Sequence, residues 1–225
     1  MSSAHAAFDG SSGDAAIAAA RPSVSPPPSR GGLVSLLAHD LRVPLGPLAL
    51  ATSSLAADPT IGGVAREYAQ IAFVQSARVG RMMSAALAAS GRLPSLRLAR
   101  LAMVATVRAA SDAFASLGGT MTVQGVEAPV TADATVLGEC LLNMAELAAG
   151  GSMRTAATVD PGERVVVSFT CDDAGRCAAA FAKDTPDDAD SAFALAAVAV
   201  AGAFGGLVEV TDGEIALVFP PAEDA

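Results

Sequence analysis

The residues best suited to do chemistry lie together in one short run, His39-Asp40-Leu41-Arg42-Val43-Pro44-Leu45. The chain has two histidines, and the other, His5, lies in a tail that the sequence predicts to be unfolded. A neutral imidazole is a competent nucleophile near neutral pH, because its unperturbed pKa is about 6.5. An adjacent carboxylate can hold the ring in one tautomer or accept its proton. The run therefore predicts a nucleophilic His39, assisted by Asp40 and Arg42.

Two long helices are predicted to position this run. Leucines recur at three- and four-residue steps over residues 33–57, which predicts an amphipathic helix that Pro44 kinks just after His39. A second helix is predicted from Val64 to Ala89. Two such helices cannot bury their apolar stripes alone. We therefore expect an antiparallel helical hairpin over residues 33–92 that forms a four-helix bundle in a homodimer.

The remaining sequence predicts a tail and one further domain. Residues 1–32 are rich in Ser, Ala, Gly and Pro, which predicts a disordered tail. Residues 93–225 alternate between helical and strand patterns, which predicts a two-layer α/β sandwich and an α+β fold class overall. Helices are predicted at 101–117, 133–149 and 191–204, and strands at 95–98, 120–126, 128–131, 152–159, 164–170, 176–182, 207–210 and 214–219.

Charge and composition exclude several classes of function. The net charge is −9, and it is divided into about +4 over residues 31–101 and −13 beyond them. An acidic chain is not expected to bind nucleic acid, whereas the basic hairpin suggests an acidic protein partner. No apolar run reaches the roughly 18 residues that a membrane span needs, so no membrane association is expected. Three cysteines without metal-like spacing predict no metal site and reduced thiols in a cytoplasmic protein.

The run at His39 resembles the phosphoacceptor box of sensor histidine kinases, in which the pattern is His-(Glu/Asp)-Leu-Arg-x-Pro-Leu. In that family the box lies on the first helix of a dimeric hairpin. Its histidine takes a phosphoryl group from ATP and passes it to an aspartate of a response-regulator receiver domain. The resemblance implies that His39 is the phosphoacceptor, and it also implies a homodimer.

The layout of residues 96–220 resembles the ATP-binding (Bergerat) domain of the same kinases, but its motifs are degenerate. The family box Asn-Leu-x-x-Asn-Ala corresponds to residues 143–148, where Asn143 is kept and Leu147 replaces the asparagine that holds magnesium. The box Asp-x-Gly-x-Gly is matched to Asp184, without its glycines. The glycine-rich third box falls on residues 191–196 and also has none. Loss of the glycines and the metal ligand argues against nucleotide binding, because these groups hold the phosphates.

A phosphoacceptor helix joined to a degenerate ATP site resembles histidine phosphotransferases of the ChpT type. The resemblance implies that His39 receives a phosphoryl group from the receiver of an upstream hybrid kinase and passes it to a second receiver. No cofactor is expected in this chain, because the receiver supplies the magnesium ion. Two alternatives stay open: a divergent histidine kinase that phosphorylates His39 with ATP, and a pseudokinase scaffold that binds response regulators without carrying phosphate.

Overall fold

The computed structural model describes residues 45–211 and 213–223 of the 225-residue chain. The described residues form a mixed α+β fold with a five-stranded mixed sheet. The helices are α1 (45–57 within the described range), α2 (Gly63–Ala89), α3 (Met103–Ser116), α4 (Ala134–Ala149), α5 (Ala174–Phe181) and α6 (Ala189–Ala203). The strands are β1 (Ala99–Ala102), β2 (Thr120–Gly125), β3 (Pro129–Ala132), β4 (Arg154–Pro161), β5 (Val165–Thr170), β6 (Leu207–Thr211) and β7 (Glu214–Phe219).

The helical segment follows the sequence prediction where it is described. A tight turn joins α1 to α2, and within it the Thr60 amide donates to the Asp58 carboxylate at 2.8 Å. The helix α2 ends one residue before Ser90, and Gly91 has a φ of +78°, a left-handed conformation that glycine adopts without strain. The predicted helix over 33–44 and its kink at Pro44 lie outside the described residues. The domain boundary at residue 92 stays a prediction.

The five-stranded sheet has the order β2-β4-β5-β7-β6, with β2 and β4 parallel and every other pair antiparallel. Alternate residues of the central strands are buried, which gives the sheet one core face. Register pairs Val167 with Leu217 and Phe169 with Ile215, and all four side chains are fully buried. These cross-strand pairs form the apolar face of the sheet, and the helices pack on it.

Helices α3, α4 and α6 cover that face of the sheet, and α2 packs on the outer side of α6. The largest contributions to the core from the helices are Phe114, Met144 and Phe193, each at most 1% exposed. Ala85 and Ala88 bring the end of α2 into the same cluster. The predicted two-layer domain is therefore present, with α2 as a further helix packed against it.

Asp133 organises the junction between the small β1-β3 sheet and α4. Its carboxylate caps α4 by accepting from the Thr135 and Val136 amides at 3.0 and 3.1 Å, which confirms the predicted cap. It also accepts from the Arg97 amide at 2.7 Å. The strand predicted at 95–98 is wrong, because a side chain rather than a strand partner holds this segment. Strand pairing starts at Ala99, opposite Ala132.

The strand predicted at 176–182 is also wrong, since this segment is the helix α5. The Asp173 carboxylate accepts from the Arg176 amide at 2.9 Å, which caps the first turn. Cys177 and Ala180 are buried three residues apart, the spacing of a helical face. Alanine is also the strongest helix former. The N-terminal cap, together with the alanine content, therefore favours a helix over a strand here.

The acid sensitivity of Asp133 gives a testable prediction for the fold. Hydrogen bonds from the backbone amides of Arg97, then Val136 and Thr135, lower the pKa of the Asp133 carboxyl below its ordinary value of 3.8. A group whose pKa is lowered in the folded state stabilises the fold above its unfolded pKa, and that stabilisation is lost as pH falls through the folded pKa. Asparagine also caps helices but does not titrate. We expect the difference in thermal midpoint between wild type and Asp133→Asn to shrink as pH falls below about 4. Scanning calorimetry from pH 7 to pH 2.5 checks this.

The matched control is Asp133→Ala, which removes the cap at every pH. It should melt below Asp133→Asn throughout the range. A constant difference between wild type and Asp133→Asn from pH 7 to pH 2.5 would contradict the prediction.

Candidate functional site

The three residues predicted to carry the chemistry, His39, Asp40 and Arg42, lie outside the described residues. The structure describes the helix that follows them, α1, and the helix α2 to which α1 is joined. It also describes the whole of the region predicted to be a degenerate nucleotide site. That region is built from α4, α5, the loop at 182–188 and the start of α6.

The helix α4 carries both residues of the degenerate asparagine box. Leu147 is fully buried in the hydrophobic core, so the position matched to the magnesium ligand holds an aliphatic side chain packed among other apolar groups. Asn143 lies one turn earlier and is 4% exposed. Its amide oxygen is buried and has no hydrogen-bond partner among the described residues. Of the two positions, only Asn143 therefore retains a side-chain oxygen that could bind a metal ion.

A guanidinium group lies where this box meets α5. Arg176 donates to the Leu147 carbonyl oxygen, and its other terminal nitrogen pairs with the Asp190 carboxylate at 2.9 Å. A Cβ added at Gly150 would lie 2.8 Å from the same guanidinium. Arg176 of α5 is thus joined to the end of α4 by a hydrogen bond and to the start of α6 by an ion pair.

A second candidate for the Asp-x-Gly-x-Gly box, which the sequence comparison did not match, lies at the start of α5. Asp173-Ala174-Gly175 lies at the N-terminus of α5, separated by two residues from the end of β5 at Thr170, and Cys177 stands two residues beyond its glycine. Cys177 is fully buried and contacts the Leu147 carbonyl through its sulfur at 3.7 Å. The signal that could have found this box was its place after a β-branched strand. Misreading α5 as a strand hid that place.

Asp184, the residue matched to the aspartate box, does not lie on α4 with Asn143 and Leu147. It is exposed in the loop between α5 and α6. In that loop Lys183 binds Asp187 at 2.8 Å and Asp188 at 2.5 Å. Hydrogen bonds to Asp187 and then Asp188 raise the pKa of the Lys183 ammonium to about 12. The structure therefore does not bring Asp184 together with Asn143 and Leu147.

The first turn of α6 replaces the glycine-rich box with a closed cap. The Asp188 carboxylate accepts from the Ser191 amide at 2.7 Å, and the Ser191 hydroxyl contacts the Asp188 amide in return. Hydrogen bonds from Lys183 and then from the Ser191 backbone hold the pKa of the Asp188 carboxyl well below its usual range. Phe193, two residues further along α6, is 1% exposed and belongs to the hydrophobic core. The Ser191 amide of this turn is therefore occupied by the protein's own carboxylate.

One face of α4 also binds α2. The Glu146 carboxylate pairs with Arg78 Nε at 2.5 Å and with Arg81 Nη2 at 2.5 Å. A cavity of about 510 Å³ lies beside these pairs and is bordered by Arg176 and Met153. A second cavity, of about 540 Å³, lies between α2, α4 and α6 and includes Asn143 in its wall.

The three thiols are free and do not form a metal site. Burial raises the pKa of Cys140 to about 12. Burial, followed by the neighbouring Cys177, raises the pKa of Cys171 to about 12 as well. Within residues 45–211 and 213–223, no group of three or more His, Cys, Asp or Glu side chains could hold a metal ion. In the same ranges no helix is long and apolar enough to cross a membrane.

The resemblance in fold extends to solved structures. No family model and no curated protein matches the chain. It is similar to full-length ShkA in complex with AMPPNP, with 21% identity and a TM-score of 0.53 over 87% of this chain and 47% of that one. It is also similar to the histidine kinase AdeS of Acinetobacter baumannii, with 12% identity and a TM-score of 0.49 over 82% of this chain and 98% of that one. A bacterial phosphotransferase shares 17% identity and a TM-score of 0.42 over 87% of this chain and 98% of that one.

The likeness to ShkA, at 21% identity, is one of fold. The chain spans about half the length of ShkA. The expectation of an α+β fold is confirmed. A likeness of fold does not test the hairpin pairing, the dimer or the phosphotransferase activity, which stay predictions.

Proposed function

We propose that this chain is a histidine phosphotransferase of a two-component phosphorelay. His39 carries a phosphoryl group between the aspartates of two receiver domains, and the chain uses no ATP. The observation that supports this proposal is the loss of metal- and phosphate-binding groups at the matched positions: Leu147 is buried in the core, and the Asp188 carboxylate caps the first turn of α6.

Three features of that region are unfavourable for a magnesium-bound triphosphate. Magnesium takes oxygen ligands in an octahedral shell, and Leu147 offers none. Phosphates bind free backbone amides at a helix N-terminus, but at the start of α6 the Asp188 carboxylate already accepts from the Ser191 amide and places a negative charge there. The acidic side chains of the loop, among them Asp184 and Asp187, add repulsion of a polyanion. The residues present therefore do not fit the nucleotide and its metal, and no step of the proposed mechanism uses them.

The proposed reaction needs only positioning and charge. A ring nitrogen of His39 attacks the phosphorus of an upstream phosphoaspartate in line, so an N–P bond forms as the P–O bond to the aspartate breaks. Asp40 orients the imidazole or takes its proton, and Arg42 steadies phosphoryl oxygens or the acidic face of the receiver. The magnesium ion held by the receiver neutralises charge on the transferring group. The reverse attack by a second receiver aspartate then regenerates His39.

The proposed dimer rests on apolar side chains that are exposed in the single chain. Tyr68 is 67% exposed and Ile71 is 49% exposed on α2, and Leu55 on α1 is 49% exposed. Val64, Tyr68 and Ile71 recur at four- and three-residue steps, so they share one face of α2. A second hairpin that covers this face would bury the stripe in a four-helix bundle.

The proposal predicts that the chain does not bind ATP. Isothermal titration of the full chain with ATP and magnesium should give no binding heat, which corresponds to a dissociation constant weaker than about 1 mM. Leu147→Asn is the informative variant, because it restores the matched metal ligand alone. It should also fail to bind, since the glycines of the third box are still absent and Asp188 still caps the first turn of α6. Micromolar affinity of the wild-type chain would contradict the proposal and favour the divergent kinase.

A further inference from the structure

The cavity of about 540 Å³ between α2, α4 and α6 has the size of a small-molecule site. Its walls are mainly apolar, with Phe193 and Val200 from α6 and Leu93 from the segment that follows α2. It shares no lining residue with the cavity beside Arg176, which adjoins the region matched to a nucleotide site. A molecule bound here therefore contacts α2 and the α/β domain together, away from that region.

Short side chains keep the middle of this cavity open. Ala85 and Ala88 line it from α2, and Ala196 and Ala197 line it from α6. All four are at most 7% exposed, so they belong to the packed part of the protein. Close-packed interiors have few voids larger than a water molecule. A space of this size beside buried alanines is therefore suited to a guest molecule.

One buried polar side chain in the wall has no partner. Asn143 is 4% exposed, and neither its amide oxygen nor its amide nitrogen has a hydrogen-bond partner among the described residues. A buried polar group without a hydrogen bond is destabilising, and native proteins satisfy nearly all of them. Because Asn143 lines the cavity, a guest molecule can supply the partner. A carboxamide complements it best, because it offers both a donor and an acceptor.

The charged side chains of the wall balance one another. Arg92 and Arg97 supply two positive charges. Asp133 and Glu139 supply two negative charges, so the formal charge of the wall is zero. The Asp133 carboxylate is in addition already held by three backbone amides. Neither an anion nor a cation gains a net attraction from such a wall, which favours a neutral guest.

We propose that this cavity binds a neutral amphipathic molecule, whose apolar body lies against the alanines and Phe193 and whose carboxamide group pairs with the amide of Asn143. The bound molecule contacts α2, α4 and α6 at once. The site does not depend on phosphoryl transfer, so its test is separate from that of the proposed function.

N-alkylacetamides are suitable probes, because each joins one neutral amide to an alkyl chain of chosen length. Isothermal titration of the full chain should show one N-octylacetamide bound per chain, with a dissociation constant on the order of 100 µM. The affinity should rise by about three- to fourfold for each methylene from N-hexyl- to N-octylacetamide, because each buries more apolar surface. The probe should also raise the thermal midpoint, because it binds the folded chain.

Two substitutions test the contacts. Asn143→Leu keeps the approximate size of the side chain and removes the amide, so N-octylacetamide should bind about tenfold more weakly. Ala196→Leu extends a side chain into the cavity and should abolish binding. The matched control is Ala109→Leu, which makes the same change on α3 in the groove between α3 and α4. It should leave the affinity unchanged. Circular dichroism and the thermal midpoint of each free variant check that it is folded.

The possible outcomes are distinct. No binding heat and no rise in thermal midpoint with any of the probes overturns the site. Equal affinities of the wild type and folded Asn143→Leu overturn the pairing with the Asn143 amide. Binding that survives Ala196→Leu overturns the location, and its loss in Ala109→Leu would place the probe between α3 and α4 instead. Loss of binding in folded Ala196→Leu, with weaker binding in Asn143→Leu and none of this in Ala109→Leu, supports the proposal.

Discussion

His39→Ala is expected to abolish transfer of a phosphoryl group from a phosphorylated receiver, by a factor on the order of 10⁴ or more. The variant lacks the ring nitrogen that attacks phosphorus, and no neighbouring side chain in the run 39–45 offers an equivalent nucleophile. His39→Gln should lose transfer equally, because an amide is not a nucleophile. The measurement follows the label from a phosphorylated receiver to the chain on a gel.

The chain provides its own matched control for this experiment. His5→Ala removes the only other histidine and should transfer at the wild-type rate. All three variants should remain folded, because a histidine that accepts phosphate from a receiver must be accessible to it, and surface substitutions usually change stability by less than about 0.5 kcal/mol. Label that persists in His39→Ala, or that is lost in His5→Ala, would show that the phosphoacceptor is not His39.

Ile71→Asp is expected to dissociate the proposed dimer, with a dissociation constant raised at least about 100-fold, or about 3 kcal/mol. Ile71 lies in the exposed apolar stripe of α2, so a second hairpin packed on that stripe would bury the new carboxylate without a partner. The dimer contains two copies of each site, which doubles the effect. Light scattering at several protein concentrations measures the shift from dimer to monomer.

The neighbouring variant Gln70→Asp introduces the same charge at an exposed position about 100° around the helix. It should leave the dimer intact. Equal masses for Ile71→Asp and Gln70→Asp would contradict an interface on this stripe. A wild-type chain that is monomeric at all concentrations would contradict the dimer itself.

The fold could be predicted from the sequence wherever the signal was local. The apolar period of α2, the Asp133 cap of α4 and the hairpin that closes at β7 depend on neighbouring residues, and the structure agrees with each. The segment at 95–98 was misassigned because the Arg97 amide donates its hydrogen bond to Asp133, 36 residues further along the chain. A contact between residues so far apart in the chain cannot be recognised from a single sequence.

The degenerate site could be predicted only where its signal was local in the sequence. The loss at Leu147 was visible in the sequence, since one residue type replaces another within a short box. Asp184 was matched to a box by its residue type, whereas an Asp-x-Gly sequence starts at Asp173, in the short turn between β5 and α5. The link from Glu146 to α2 could not be read at all, because it joins two helices through side chains 65 residues apart.

The central claim is that phosphate enters this chain from a receiver and not from ATP, and one parallel labelling experiment tests it most directly. Wild-type chain is offered either ³²P-labelled phosphoreceiver with magnesium or γ-³²P-ATP with magnesium, and the label on the chain is then tested in acid and in base. We expect label only from the receiver, lost in acid and stable in base, as for a phosphoramidate on His39. Label from ATP in the absence of any receiver, or no label from any receiver, would contradict the account.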